Sequence, residues 1–386
     1  MVGYGHIQEC CPQLQDSGLR KRRMLQPRPC RSGAVSARAV SARAVSAVTQ
    51  LTVALLLATG VACQAQNTTN FPAIGHIDRF DPALDQLVAA EARIEVLCGG
   101  FEWSEGPVWV PEQGNKFGGF VLFSDIPHNA VMKWQESVGA SIFLKPSGYT
   151  GAVDYGKEPG SNGLALDATG RLISCEHGDR RISVLTKDGG KMTLADRWNG
   201  KRFNSPNDLA VRSNGDIFFT DPIYGLPGHA EDPRREIDFC GVYRLQPDGT
   251  VTVQSKDISR PNGIGFSPDQ KTIYVANSDG KDPVWRSFPV QDDGSLGTPS
   301  VFFDSSKDNH LNPGGGDGLK VDQSGNVFAT GPGGVLILSS SGKLLGRIVT
   351  GERIANVAWG NDGSMLYLTS DMYLCRVRTK TTGTGF

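Results

Sequence analysis

Residues 207–222 read NDLAVRSNGDIFFTDP: a polar pair, a short apolar strand, a Gly-centred turn and a second apolar strand. The same order recurs five more times. It is found in EGPVWVPEQGNKFGGFVLFSD from Glu105, NGLALDATGRLISCEHG from Asn162, NGIGFSPDQKTIYVANS from Asn262, DGLKVDQSGNVFATGPGG from Asp317 and NVAWGNDGSMLYLTSD from Asn356. Successive starts lie 57, 45, 55, 55 and 39 residues apart. A period near 40–55 residues built of short strands is the signature of a β-propeller. Further strand candidates at 130–135, 181–186, 241–245 and 335–339 bring the blades to four strands each. The expected fold is therefore all-β, a six-bladed β-propeller with four-stranded antiparallel blades, over residues 95–380. Helical periodicity is nearly absent there, which excludes TIM-barrel and Rossmann architectures.

The chain has 386 residues, with 39 Lys and Arg against 40 Asp and Glu. A formal charge of -1 leaves no general basic face, so nucleic-acid binding is not expected. Hydrophobic content of 39% with 48 glycines fits a folded, turn-rich chain rather than a disordered, collagenous or multi-span one. The charge is unevenly spread. Residues 1–66 carry a net +6 and the remainder -7. Within 34–48 the pentad Ala-Val-Ser-Ala-Arg repeats, and then comes LTVALLLATGVA at 51–62. Twelve apolar residues are too few for a bilayer span, which needs roughly 20. After a basic stretch and before small residues they read as a secretory signal, with cleavage expected after Ala62 or Ala65. Residues 1–66 are thus expected to be an export signal and low-complexity leader, giving a periplasmic or secreted product. A lipid anchor on Cys63 is the weaker alternative, because Gly60 stands where a bulky aliphatic is expected. An over-long predicted start or a disordered leader is the other reading of residues 1–45. Residues 67–94 are expected to be a linker with one short helix at 81–92, opened by Pro82. Downstream, Cys98, Cys175, Cys240 and Cys375 stand singly without Cys-x-x-Cys spacing, and read as buried small hydrophobes.

The first residue of each repeat carries the chemistry. In a propeller the innermost strands line a central channel, so equivalent positions form a ring about the axis. Here they are Glu105, Asn162, Asn207, Asn262, Asp317 and Asn356: two carboxylates and four amides. Asn and Asp also serve as plain turn formers before strands. Confined carboxylates repel and are costly to desolvate, and a bound cation resolves both problems. Oxygen donors without His or Cys favour Ca²⁺, Mg²⁺ or Mn²⁺ over structural zinc.

The motifs FEWSEGPVW at 101–109, CEHGDRRI at 175–182, KRFNSPNDLAV at 201–211, FFTDPIYGL at 218–226, RPNGIGFSPD at 260–269 and GGDGLKVD at 315–322 carry a resemblance. From about 81 to 378 the chain resembles the gluconolactonase and senescence-marker-protein (regucalcin-like) family, nearest its bacterial gluconolactonase branch. That resemblance implies one divalent ion at the channel mouth, Ca²⁺ foremost and Mg²⁺, Mn²⁺ or Zn²⁺ otherwise. The matching ligands are Glu105, Asn207, Asn262 and Asp317. It also implies hydrolysis of a sugar lactone, with Asp317 as general acid and base. Asn162 and Asn356 are left facing substrate or an axial water, and Arg202 lies near a substrate-binding arginine of some relatives.

Opening a lactone needs an electrophile on the carbonyl oxygen, a nucleophilic water and a proton acceptor, and a divalent ion serves the first two. No serine elbow and no Ser/His or Cys/His pair is evident, so an acyl-enzyme is not expected. His177 reads either as a rim residue touching substrate or as a structural histidine holding a blade loop. Asp208 is expected to orient Asn207, Asp221 to make a turn, and Trp103 and Trp109 to pack between blades. His229 and His310 lie in loops that could cover the mouth. Two other functions remain: hydrolysis of another ester or lactone, and a non-catalytic ion- or ligand-binding propeller.

Overall fold

The computed structural model describes residues 70–312 and 314–386; the expected leader and cleavage sites lie outside the described residues. Six antiparallel sheets of four or five strands, with a two-stranded ribbon of Arg197–Trp198 and Lys201–Arg202 between the second and third, follow one another along the chain. Their innermost strands are Ser104–Glu112, Ser161–Leu166, Leu209–Val211, Pro261–Phe266, Leu319–Val321 and Ile354–Gly360. Each of these strands touches the next, and the last touches the first. This closed ring makes the molecule a six-bladed propeller, with the blades numbered one to six here. The expected strands at 130–135 and 241–245 appear as Ala130–Gln135 and Gly241–Leu245, and the other two as Arg181–Leu185 and Gly334–Leu338.

The repeat unit folds this way for local reasons. In blade three, Gly215 adopts φ +91°, which a β-carbon would resist, and its turn closes with Gly215 N donating to Arg212 O at 2.9 Å. The strand that follows, Ile217–Asp221, is buried along its whole length. Alternation sends Ile217 and Phe219 into the cluster shared with blade two and Phe218 into the cluster shared with blade four. Each such ring contributes roughly 1.5–3 kcal/mol on burial. The other interfaces repeat the scheme; between blades six and one, Trp109 stacks on Tyr367 at 5.8 Å, as expected of Trp109.

Closure corrects one expectation. The stretch 67–94 is not simply a linker. Ile94–Gly99 supplies the fourth strand of blade six, whose other three come from the carboxy-terminal end of the chain. Ala73–Ile74 adds a fifth strand there, and His76–Arg79 adds a fifth strand to blade five. The helix expected at 81–92 shrinks to a single 3-10 segment, Pro82–Gln86, with the Asp81 carboxylate accepting from Ala83 N at 2.8 Å. Leu84 and Val88 beyond it are buried against blades five and six, so the segment docks rather than links. No helix among the described residues is long and apolar enough to cross a membrane. The four described cysteines are unpaired; three are buried, and Cys98 is partly exposed.

Candidate active site

The inner strands of blades one, two and four break their regular pairing at or just after the ring residue, and that of blade six just before it. The bulge turns that side chain toward the axis. Glycine follows it in four blades because the next blade lies against it, with backbone at Gly106, Gly163 and Gly263 and the Asn356 side chain at Gly318. A β-carbon on Gly106 would sit 2.0 Å from Asn162 O, and one on Gly263 2.2 Å from Asp317 O. Hydroxyls of the second strands of blades one, three and five stitch each to the backbone at, or next to, the ring residue of the following blade. Ser124 Oγ donates to Asn162 O at 2.8 Å, Thr220 Oγ1 to Asn262 O at 2.8 Å and Thr330 Oγ1 to Ala355 O at 2.7 Å.

Five of the six ring residues line one cavity of about 310 Å³: Glu105, Asn162, Asn207, Asn262 and Asp317. Their polar atoms are unevenly satisfied. Asn262 Nδ2 donates to Ser278 Oγ at 3.3 Å, and Asn162 Nδ2 lies 3.4 Å from His177 Nε2. Those contacts leave the opposite end of each amide facing inward. The Oδ1 atoms of Asn162, Asn207 and Asn262 are buried and accept no hydrogen bond. A buried carbonyl without a donor costs about 1–3 kcal/mol. Three of them round one cavity call for an electropositive guest.

The carboxylates make the same demand. Burial, and then the charges of Asp317 and Asp208, push the Glu105 carboxyl well above the ordinary range. Burial lifts Asp317 to about 7, against the pull of Arg353 and with a further push from Asp208. Two oxyanion groups and three partnerless amide oxygens therefore fit a hard divalent cation. Among the described residues no cluster of three or more His, Cys, Asp or Glu side chains suits a metal, so amide oxygens would have to complete any such shell.

The other expected substrate contacts lie elsewhere. Asn356 is buried and lines no part of the cavity: its Oδ1 accepts from its own neighbour Val357 N at 2.9 Å, and its Nδ2 donates to Asp208 Oδ2 at 3.2 Å. Asp208 also accepts from its own neighbour Leu209 N at 2.8 Å. His177 is wholly buried behind Asn162, its Nδ1 3.3 Å from Glu158 Oε2, which suits a structural histidine better than a rim contact. Arg202 faces a different cleft and donates to the backbone oxygen of Asp179. The three-residue stretch after Phe203 is the cause. Asp221, buried, accepts from Asn204 N and Ser205 N at 2.8 Å each and turns the chain inward, leaving Arg202 outside. Neither His229 nor His310 reaches the cavity, and His310 stacks on Phe80 at 4.3 Å.

The rest of the wall escaped the sequence reading. Trp103 lines the cavity instead of packing between blades, with the Arg353 guanidinium 5.0 Å from its ring centre. Arg353 Nη2 also reaches Asp317 Oδ2 at 3.4 Å while its side chain stays 68% exposed, so it stands at the mouth. Glu158, Ile126, Ser278 and Tyr224 complete the wall, the Tyr224 hydroxyl donating to Ser278 Oγ at 2.9 Å. The one available signal was position: Trp103 and Arg353 directly precede the inner strands Ser104–Glu112 and Ile354–Gly360.

Known proteins share this arrangement of chain. The family profile described as SMP-30/Gluconolactonase/LRE-like region matches residues 103–372. A gluconolactonase of Zymomonas mobilis subsp. mobilis is 38% identical over 335 residues, covering 84% of this chain and 92% of its own. A pentonolactonase of Haloferax volcanii is 26% identical over 270 residues, covering 69% and 80%. Among solved structures, a gluconolactonase of Xanthomonas campestris superposes with a TM-score of 0.67 at 31% identity, covering 80% of this chain and 97% of that one. A calcium-binding protein, regucalcin, from Agrobacterium tumefaciens shares the fold at a TM-score of 0.58 and 18% identity, covering 82% and 96%. With the profile spanning most of the propeller and the Zymomonas enzyme aligned along nearly its full length, the chain belongs to the SMP-30/gluconolactonase/LRE-like family.

Proposed function

We propose that this protein hydrolyses a sugar lactone in the ring cavity, with a divalent cation held by Glu105, Asn207, Asn262 and Asp317. The observation that carries the reading is the oxygen set: two buried carboxylates and three amide oxygens without donors, facing one cavity. The 38% identity to a gluconolactonase supports the substrate class. Ca²⁺ is the first expectation, with Mg²⁺, Mn²⁺ and Zn²⁺ as alternatives, and Asn162 offers a fifth oxygen. A bound ion would supply Lewis-acid polarisation of a carbonyl and acidification of water.

The chain's own groups supply the rest. Asp317, facing the cavity beside Arg353, takes a proton from water and returns it to the leaving ring oxygen. Arg353, bonded to Asp317 Oδ2 and resting on Trp103, brings fixed positive charge to the mouth, where negative charge builds on the opening ester. Tyr224 and Ser278 hold the Asn262 amide, so its oxygen keeps facing inward. Trp103 and Ile126 give the cavity its apolar wall. The same proposal includes export: the apolar run at 51–62 would be cleaved, giving a mature chain that starts near residue 63 or 66.

The test is a pH-stat assay of δ-gluconolactone opening by the purified protein, before and after chelation and on readdition of each ion. Hydrolysis should vanish with chelation and return with one of the four cations, and Asp317→Asn should fold yet lose turnover. Absence of turnover above the spontaneous rate with every ion would defeat the enzymatic reading. Full turnover without metal would defeat the cation, and faster hydrolysis of aryl esters would defeat the sugar lactone.

A further inference from the structure

A second cleft, of about 510 Å³, opens between blades two and three. It contains Arg180, Arg181, Arg202 and Arg234 together with Tyr149 and Tyr155, and nothing in the lactone reaction uses it. Two of its guanidinium groups are already neutralised. Arg181 pairs with Glu176 at 2.7 Å, and Arg234 bonds both oxygens of Asp232 at 2.9 and 2.8 Å.

Arg180 and Arg202 are different. Arg180 is only 6% exposed, and it spends its hydrogen bonds on backbone oxygens: Phe203 O at 2.7 Å, Asn204 O at 3.1 Å and Arg234 O at 2.8 Å. Arg202 likewise donates to Asp179 O. Neither forms an ion pair among the described residues. Arg180 Nη2 and Arg202 Nε are shielded from water and meet no acceptor at all. The nearby carboxylates are engaged by other donors. Asp221 is held by Asn204 N and Ser205 N, Glu236 accepts from Arg202 N at 2.9 Å, and Asp179 accepts from Thr150 N and Oγ1 at 3.0 and 2.8 Å. Burial, and then the Arg202 charge, pull the Arg180 guanidinium below its ordinary range, partly offset by Asp221 and Glu236. A buried positive charge without a directly bonded counter-charge is expensive.

The backbone adds an independent sign. Arg180 sits at φ +54°, in the left-handed region that glycine or asparagine occupies at lower cost. The sequence keeps an arginine there. Beside the guanidinium groups, Tyr149 and Tyr155 form an aromatic pair with ring centres 4.8 Å apart, and Arg234 lies over Tyr155 at 4.7 Å. That is a charged end and an apolar platform in one cleft.

We infer that this cleft binds a small organic oxyanion, its carboxylate or phosphate on Arg180 and Arg202 and its carbon body against Tyr149. Guanidinium groups recognise both anions by paired charge-assisted bonds. The site is separate from the ring cavity, but shares a wall with it. Tyr155 donates its hydroxyl to His177 O at 3.0 Å, and the chain reaches the cavity residue Glu158 three positions later. The inference stands whether or not the ring cavity opens lactones.

The experiment is calorimetric titration of the purified protein with inorganic phosphate, gluconate and 6-phosphogluconate, and with glucose as the neutral comparator. At least one oxyanion should bind and glucose should not; phosphate alone would mark a phosphate site, gluconate a carboxylate site. Arg202→Gln should weaken that binding about tenfold, the loss of one charge-assisted bond. Lys307→Gln, which removes an exposed charge in blade four, should leave it unchanged. Should Arg202→Gln misfold, arginine modification by phenylglyoxal in the unaltered protein gives the same answer, since the bound oxyanion should shield Arg202 in the peptide map. No binding of any of the three anions, equal binding by Arg202→Gln, equal binding of glucose, or no shielding of Arg202 would each overturn the inference.

Discussion

Replacing Asp317 with asparagine should do two opposite things: abolish turnover and, in the absence of divalent ions, make the protein more stable. The carboxyl is raised from 3.8 to about 7 because it is buried and faces like charge. The direction of the pH effect follows from proton counting. Between about pH 4 and 7 the folded chain keeps a proton that the unfolded chain has released, so stability falls as pH rises through that window and levels off above it. At about 1.4 kcal/mol per pH unit, the full penalty at pH 8 is about 4 kcal/mol. Asparagine never ionises and escapes it. The substitution also breaks the pair with Arg353, but that side chain is 68% exposed, and such pairs are worth less than about 1 kcal/mol. The net expectation is a gain of about 3 kcal/mol at pH 8, shrinking toward pH 5, where much of the penalty has not yet developed.

Urea unfolding followed by tryptophan fluorescence, in chelator at pH 5 and pH 8, measures the gap. Adding Ca²⁺ should reverse the order at pH 8. An ion that binds only the folded chain stabilises it by mass action, and the unaltered ring binds it with one more charge. An Asp317→Asn protein that is equally or less stable in chelator at pH 8, with a gap that ignores pH, would refute the idea that the ring carboxylates are buried against one another.

Three further substitutions test the neighbouring parts. Arg353→Ala removes the charge that holds Asp317 down, so the acidic limb of the lactone pH–rate profile should move upward while urea stability changes by less than about 1 kcal/mol. Thr220→Val strips the hydroxyl that bonds Asn262 O across two blades; the carbonyl is left buried and bare, and unfolding should become easier by about 1–3 kcal/mol. Ile77→Ala cuts into the strand His76–Arg79, and a loss of about 1–2 kcal/mol in the same unfolding assay would separate a working fifth strand from a passive linker, which would show none.

The blades were legible because each repeats a polar residue, a strand, a tight turn and a second strand buried on both faces, and alternation in stretches such as Ile217–Asp221 leaves little freedom in how they pair. The closure was not legible. Ala73–Ile74 and His76–Arg79 are two and four residues long, too short for any period, and they are strands only because blades five and six present open edges to them. The site divides in the same way. Glu105, Asn162, Asn207, Asn262 and Asp317 recur at the repeat position and therefore meet. Trp103, Glu158, Tyr224, Ser278 and Arg353 come from connections of unequal length and share no spacing. Asn356 shows the deeper reason. It occupies the same repeat position as its neighbours, yet both ends of its amide are engaged, by Val357 N and by Asp208, so it has nothing left to offer a ligand. Asn207 keeps a bare oxygen, and so do Asn162 and Asn262. Equivalent residues thus differ in which of their atoms the surrounding chain leaves unbonded. That difference arises only when six blades close against one another, so a repeat pattern names the ring, and hydrogen-bond accounting in the closed structure tells which members keep an oxygen without a donor.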